Sequence, residues 1–183
     1  PLLVRKLRLD AIAIEGATLD LAKDDKPFQL PKWPEVLPRI EPPLAIEADR
    51  IRIDGLRVTS AGEPTIDIAT LRGGMRAESG LLTVEQIAVQ SDRGRFRVDG
   101  RYAPGDNYAT DLTATAIFPA RAGRTAGRLG LIARGDLDSM DVFVGGRAPA
   151  PLRATLTLRP PGDGASEDNA RWTLHATSEG LDP

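Results

Sequence analysis

A chain of 183 residues with a net charge of −2, 27% charged side chains and no cysteine leaves several functions without a physical basis. A nucleic-acid scaffold needs a strong basic excess, a thiolate metal site or disulfide framework needs cysteine, and a membrane-spanning helix needs about 18 consecutive apolar residues. None of these is present, and aromatics at 4% beside 18 glycines and 15 prolines suit aliphatic strands with frequent breaks, in an elongated surface more than a compact aromatic core.

Taken in order, Val4 to Leu21 reads as strand and carries the first copy of an eight-residue pattern. The pattern is hydrophobic-x-hydrophobic-acidic-x-hydrophobic-x-hydrophobic. Its first copy places Leu7, Leu9, Ile12 and Ile14 around Asp10; the second places Ile51, Ile53, Leu56 and Val58 around Asp54; the third places Leu82, Val84, Ile87 and Val89 around Glu85. Alternation at period two means strand, but the parity slips by one residue at each acidic position, which would turn the second pair to the opposite face. One extra residue in a β-bulge returns it to the first face. A two-residue hairpin competes at Asp54-Gly55, but Asp10-Ala11 and Glu85-Gln86 lack the residues that accept positive φ. The bulged strand is therefore preferred, with these twelve aliphatic residues lining one face.

Residues 22–44 hold Pro27, Pro31, Pro34, Pro38, Pro42 and Pro43, which removes backbone donors too often for a ladder. This stretch reads as an extended loop, more simply a surface insertion than a lid, with Phe28, Trp33 and Val36 available to pin it. Strand signals resume at Ile46–Ala48, Ile51–Thr59, Thr65–Leu71, Leu81–Val89 and Arg95–Tyr102. They continue at Ala109–Ile117, Leu129–Gly135, Met140–Val144, Leu152–Leu158 and Arg171–Ala176. Gly62, Gly73-Gly74, Gly80, Gly94 and Gly105 mark the breaks, and the spacing is that of an antiparallel meander. Only Ala122–Leu131 raises the question of a helix, and its glycines weigh against one. The run from Thr157 to Asn169 reads as a turn, and residues 159–183 form a weakly patterned tail. Beginning at Pro1 in mid-pattern, residues 1–183 are expected to be one β-repeat segment of a longer protein, with any membrane anchor outside it.

Chemistry-bearing residues favour structural readings. His175 alternates with Trp172, Leu174 and Ala176, points away from the apolar side, and has no orienting partner for general-base work. Asp136, Asp138 and Asp141 lack the glycine and closing glutamate of a helix-loop-helix calcium site and read as a solvated turn. Arg93, Arg95 and Arg97 have no interleaved stacking aromatics; with Arg8, Arg50 and Arg52 they supply a polar outer face that discourages edge aggregation. There is no phosphate loop, nucleophile elbow or zinc spacing, so no enzyme activity, metal or cofactor is expected.

The recurring Ile51-Arg52-Ile53-Asp54-Gly55-Leu56-Arg57-Val58, then Ile68-Ala69-Thr70-Leu71, Gly80-Leu81-Leu82-Thr83-Val84-Glu85-Gln86-Ile87, Phe96-Arg97-Val98-Asp99-Gly100 and Gly135-Asp136-Leu137 resemble the periplasmic repeats of the TamB and AsmA-like family of envelope proteins. The resemblance covers most of residues 4–158. It implies an all-β protein, a long curved and mostly antiparallel sheet (a half-pipe or taco) with an aliphatic inner groove, belonging to an inner-membrane-anchored chain in the periplasm of a diderm bacterium. It also implies lipid acyl chains as cargo carried between the two membranes, and partnership with an outer-membrane assembly barrel in protein translocation. The twelve residues of the repeats are the groove candidates. The edge near Val4–Leu9, only partly protected by Arg5, Lys6 and Arg8, is expected to self-associate. Two alternatives stand beside this reading: a structural or adhesive β-sandwich with a closed core, and a carbohydrate-active solenoid, which would need exposed aromatic rows or paired carboxylates.

Overall fold

The computed structural model of the chain describes residues 6–21, 37–120, 125–147, 150–159 and 171–178. They form eleven strands and no helix: β1 (Lys6–Leu9), β2 (Ile12–Leu21), β3 (Ala45–Ser60), β4 (Glu63–Glu78), β5 (Leu81–Ser91), β6 (Gly94–Ala103), β7 (Ala109–Phe118), β8 (Gly127–Gly135), β9 (Met140–Arg147), β10 (Pro151–Arg159) and β11 (Arg171–Ser178). All belong to one open sheet in the order β1-β3-β4-β5-β6-β7-β8-β9-β10-β11, with β2 beside β3 as well. From β3 onward each strand pairs antiparallel with the next in sequence. The mostly antiparallel all-β architecture expected from the alternation is what the residues form. A closed sandwich is not: among the described residues there is no second layer, and tertiary contact runs between hydrogen-bonded neighbours.

One edge departs from the meander. β1 and β2 run parallel to β3, and a parallel neighbour requires a connection that returns the length of the strand. With 16 residues, β3 is roughly 50 Å long. A proline-rich chain at about 3.1 Å per residue reaches about 70 Å over residues 22–44, so the proline-rich stretch has the reach this crossover needs. Residues 22–36, with Phe28, Trp33 and Val36, lie outside the described residues, as do Pro1–Arg5 and residues 160–170. The end of the connection is held at one rim of the sheet. There the Gly80 N–H donates to Ile40 O at 2.8 Å, and the Tyr102 hydroxyl donates to Pro38 O at 2.8 Å.

All three copies of the repeat are bulged or interrupted strands, not hairpins. In the third, three steps from Val84 to Ile87 face two steps from Gly100 to Val98. The extra residue, Gln86, has φ 50°, and its N–H donates to Asp99 Oδ2 at 2.8 Å. In the second, Gly55 has φ 74° within a continuous β3, and burial resumes with shifted parity: Leu56 half-buried, Arg57 exposed, Val58 buried. Its parallel neighbour Gly16 has φ 65°, so the two strands kink side by side and keep register. In the first copy, Asp10-Ala11 separates β1 from β2, while Asp49-Arg50 makes the same three-residue step on β3. Against expectation, Ala and Gln both take positive φ here, at Ala61 (φ 51°) and Gln86. Ala61 is compensated: the Ala61 N–H donates to Leu21 O, while the Gly62 N–H and the Thr59 hydroxyl both donate to Asp20 Oδ1.

Gly73-Gly74, a break by its sequence, lies inside β4. Here β4 crosses the bulge line of β3 and β5, and a Cβ on Gly73 would lie 2.7 Å from Ile87 Cδ1 and 2.8 Å from its Cα. The glycines permit close approach of strands, which a loop reading misses. Gly73→Val is expected to lower stability by about 1–3 kcal/mol through overpacking, as read from the midpoint of urea unfolding.

Candidate functional site

Tracing partners across the sheet yields continuous rows that share a face. One row runs Leu9, Ala48, Met75, Val84, Gly100, Leu112, Ala133, Val142, Leu156. The next runs Ile12, Ile51, Gly73 and, past the bulge, Ile87, Val98, Ala114, Leu131, Val144, Ala154. A third takes Ile14, Ile53, Leu71, Val89, Phe96, Ala116, Leu129, Gly146 and Leu152. Leu7, Ile46, Ala77 and Leu82 begin a fourth, which continues through Tyr102 and Met140 to the buried Leu158. No charged residue interrupts the four rows.

Ten of the twelve sequence candidates lie in these rows, while Leu56 and Val58 pair with Ile68 and Ile66 further along β3 and β4. Leu9, Ile12, Ile51, Ile53, Leu56, Leu82, Val84, Ile87 and Val89 are half-buried and Val58 is buried, while Leu7 and Ile14 on the first strands are exposed. The sequence reading missed the continuation through β6 to β10, including Phe96, Val98, Leu112, Leu129, Leu131, Val142 and Val144. Their plain alternation was a strand signal, but without the acidic break it carried no repeat to mark it. At about 4.8 Å per strand and 6.6 Å per row, the apolar face measures on the order of 40 by 20 Å. That exceeds the few hundred Å² of contiguous apolar surface a soluble monomer ordinarily shows. Only Ala48, Val58, Ala103, Ala133 and Leu158 are buried apolar residues among those described, so the face is not a conventional core. Where the aromatics fall on it, they pair: Phe96 and Phe118 meet edge to face at 6.0 Å, and Tyr102 approaches Tyr108 at 6.3 Å. Burial first, then the neighbouring Tyr108, raises the Tyr102 phenol above its ordinary range.

The opposite face is charged and paired across strands. Glu47, 5% exposed, meets Lys6 and Arg76, the latter at 3.3 Å. Arg57 contacts Asp67 at 2.9 Å, Arg134 contacts Asp111 at 3.1 Å, and Asp141 accepts two bonds from Arg159 and one from the Thr157 hydroxyl. The bond from Lys6 holds the Glu47 carboxyl below its ordinary value, Arg159 and then Thr157 do the same for Asp141, and the Thr59 hydroxyl and then the Gly62 N–H do so for Asp20. Each lowered pKa means that the unfolded chain binds the proton more readily. The stability these groups contribute is present above the ordinary values of 4.5 and 3.8 and is lost as pH falls through the lower folded values. Thermal unfolding is accordingly expected to show a midpoint that declines with acidification below about pH 4, with a weaker decline in Glu47→Gln.

The remaining sequence candidates have structural surroundings. Asp136 Oδ1 accepts the N–H groups of Asp138 and Ser139 and so closes the turn between β8 and β9, while Asp138 accepts from Asn107. Among the described residues no group of three or more metal-ligating side chains converges. His175 is exposed and stands opposite Thr155, on the side away from the apolar rows. Arg93 donates to Thr65 O at 3.0 Å and belongs to the turn after β5. Compared with family models, curated proteins and solved structures, the chain matches none.

Proposed function

We propose that this chain is a periplasmic segment of a TamB/AsmA-like protein and works as a non-enzymatic hydrophobic conduit. In this reading its apolar face carries phospholipid acyl chains between the inner and outer membranes of a diderm bacterium. The observation that supports it is an apolar face that no second layer covers among the described residues, with four rows that continue from strand to strand without a charge. A sheet ordinarily buries such a face against a second layer; an acyl chain offers an equivalent partner that slides, at about 0.8 kcal/mol per buried methylene. Acyl chains present no polar group to be matched, which suits rows containing no specific ligand. In this reading an outer-membrane assembly barrel is the partner at the far end.

The β2 edge supports a second role beside the first. Among the described residues β2 pairs with β3 alone, and its other side, with Leu19 and Leu21 exposed at 49% and 47%, can add an extended strand of an outer-membrane protein in transit. Photo-crosslinking in cells tests the conduit: a reactive side chain at Val84 or Val144 should capture phospholipid, and one at Arg72 on the charged face should not. Equal labelling at the two faces, or none at either, would overturn it.

A further inference from the structure

The charged face is unevenly neutralised. Toward β1–β5 most cations have carboxylate partners, and so do Arg134 and Arg159 near the turn between β8 and β9. Between these areas Arg95, Arg97, Arg128 and Arg147 line one depression of about 690 Å³, and none of its described lining residues is a carboxylate. None of the four has an ion pair among the described residues. Arg128 and Arg147 are directly opposed on neighbouring strands, an arrangement of like charges that destabilises a sheet unless something lies between them. Arg95 stands two strands from Arg128, across Ile117, roughly 10 Å away. The centre of the depression is kept open by small residues in register, Thr115, Gly130 and Gly145. Beside it Ile132 and Phe143 oppose each other and are 41% and 45% exposed, with the Phe143 ring lying over Gly145.

We infer that this depression on the charged face docks a lipid headgroup bearing two phosphates. Guanidinium forks match phosphate oxygens in two-bonded geometry. The opposed Arg128 and Arg147 are placed to share one phosphate, and Arg95 with Arg97 to take a second. The uncovered Phe143 and Ile132 sit where hydrocarbon beside a headgroup would lie, which a soluble polyanion would leave exposed to water. This site is on the opposite side of the sheet from the apolar rows and does not depend on them.

The test is flotation of the purified chain with vesicles of phosphatidylcholine, with and without cardiolipin, whose headgroup carries two phosphates. Binding is expected only with cardiolipin, to weaken with added salt, and to fall by about tenfold or more in Arg128→Ala/Arg147→Ala, as loss of charge-assisted bonds implies. Arg57→Ala/Arg134→Ala, which removes the same charge elsewhere on this face, should bind as the parent does. Because Arg128→Ala/Arg147→Ala relieves repulsion, its thermal midpoint should equal or exceed that of the parent, which separates lost binding from lost folding. Absence of binding, equal loss in both double variants, competition by inorganic pyrophosphate as effective as by cardiolipin vesicles, or preference for an acidic peptide would each overturn the inference. Acyl-chain labelling on the apolar face is read separately, so either result can fail alone.

Discussion

Val84→Asp is expected to abolish lipid occupancy of the apolar face and to lower stability by about 2–3 kcal/mol, the cost of a polar group without a partner in apolar surroundings. Val84 lies opposite Met75 on one side and Gly100 on the other, in a row whose members are Leu9, Ala48, Leu112, Ala133, Val142 and Leu156. No cation stands in that row to neutralise a carboxylate, and the nearby arginines project from the other face. An acyl chain lying along the rows would meet the charge whatever its register. Ile53→Asp, two rows away between Ile14 and Leu71, should act in the same way. Arg72→Ala, on the charged face opposite Arg52, should change stability by no more than about 0.5 kcal/mol and leave occupancy intact. Lipid retained after purification, counted by native mass spectrometry, and urea unfolding give the two readouts. Indistinguishable behaviour of Val84→Asp and Arg72→Ala would remove the two-faced sheet as the basis of function.

The second large effect concerns assembly. β2 pairs with β3 alone, so one side of its backbone has no ladder partner among the described residues. Its exposed Ile14, Leu19 and Leu21 leave apolar side chains at the brink of the sheet. Unpaired donors and acceptors beside uncovered leucines form a template for another strand, so the purified chain is expected to associate through this edge in a concentration-dependent way. Leu19→Lys/Leu21→Lys places two desolvation-averse charges there and should shift light scattering towards monomer while far-ultraviolet circular dichroism stays strand-dominated. A strict monomer in the parent, or association unchanged in the lysine variant, would show that the edge is already protected.

Much of this protein follows from local sequence rules. Period-two alternation specified the strands, Gly62, Gly80 and Gly105 specified turns, and the slipped repeats specified that Leu7, Leu9, Ile12, Ile14, Ile51, Ile53, Leu82, Val84, Ile87 and Val89 would share the rows of one face. That last point was legible because a bulge is the economical way to return a slipped pattern to its face, and Gly55 and Gln86 take the positive φ that this requires. Other features depend on which strands become neighbours. Gly73-Gly74 looks like a break until β3 and β5 bring their extra residues to either side of it. The parallel edge is invisible in alternation, since a strand has the same pattern in either direction; only the pairing of Lys6–Leu9 with residues 45–48 reveals it. The convergence of Arg95 and Arg97 with Arg128 and Arg147 likewise comes from ladder register, which brings residues from three strands into one depression. Periodicity along one strand fixes the face to which a side chain points, whereas hydrogen-bond register between strands fixes its neighbours on that face, and binding surfaces are made of neighbours.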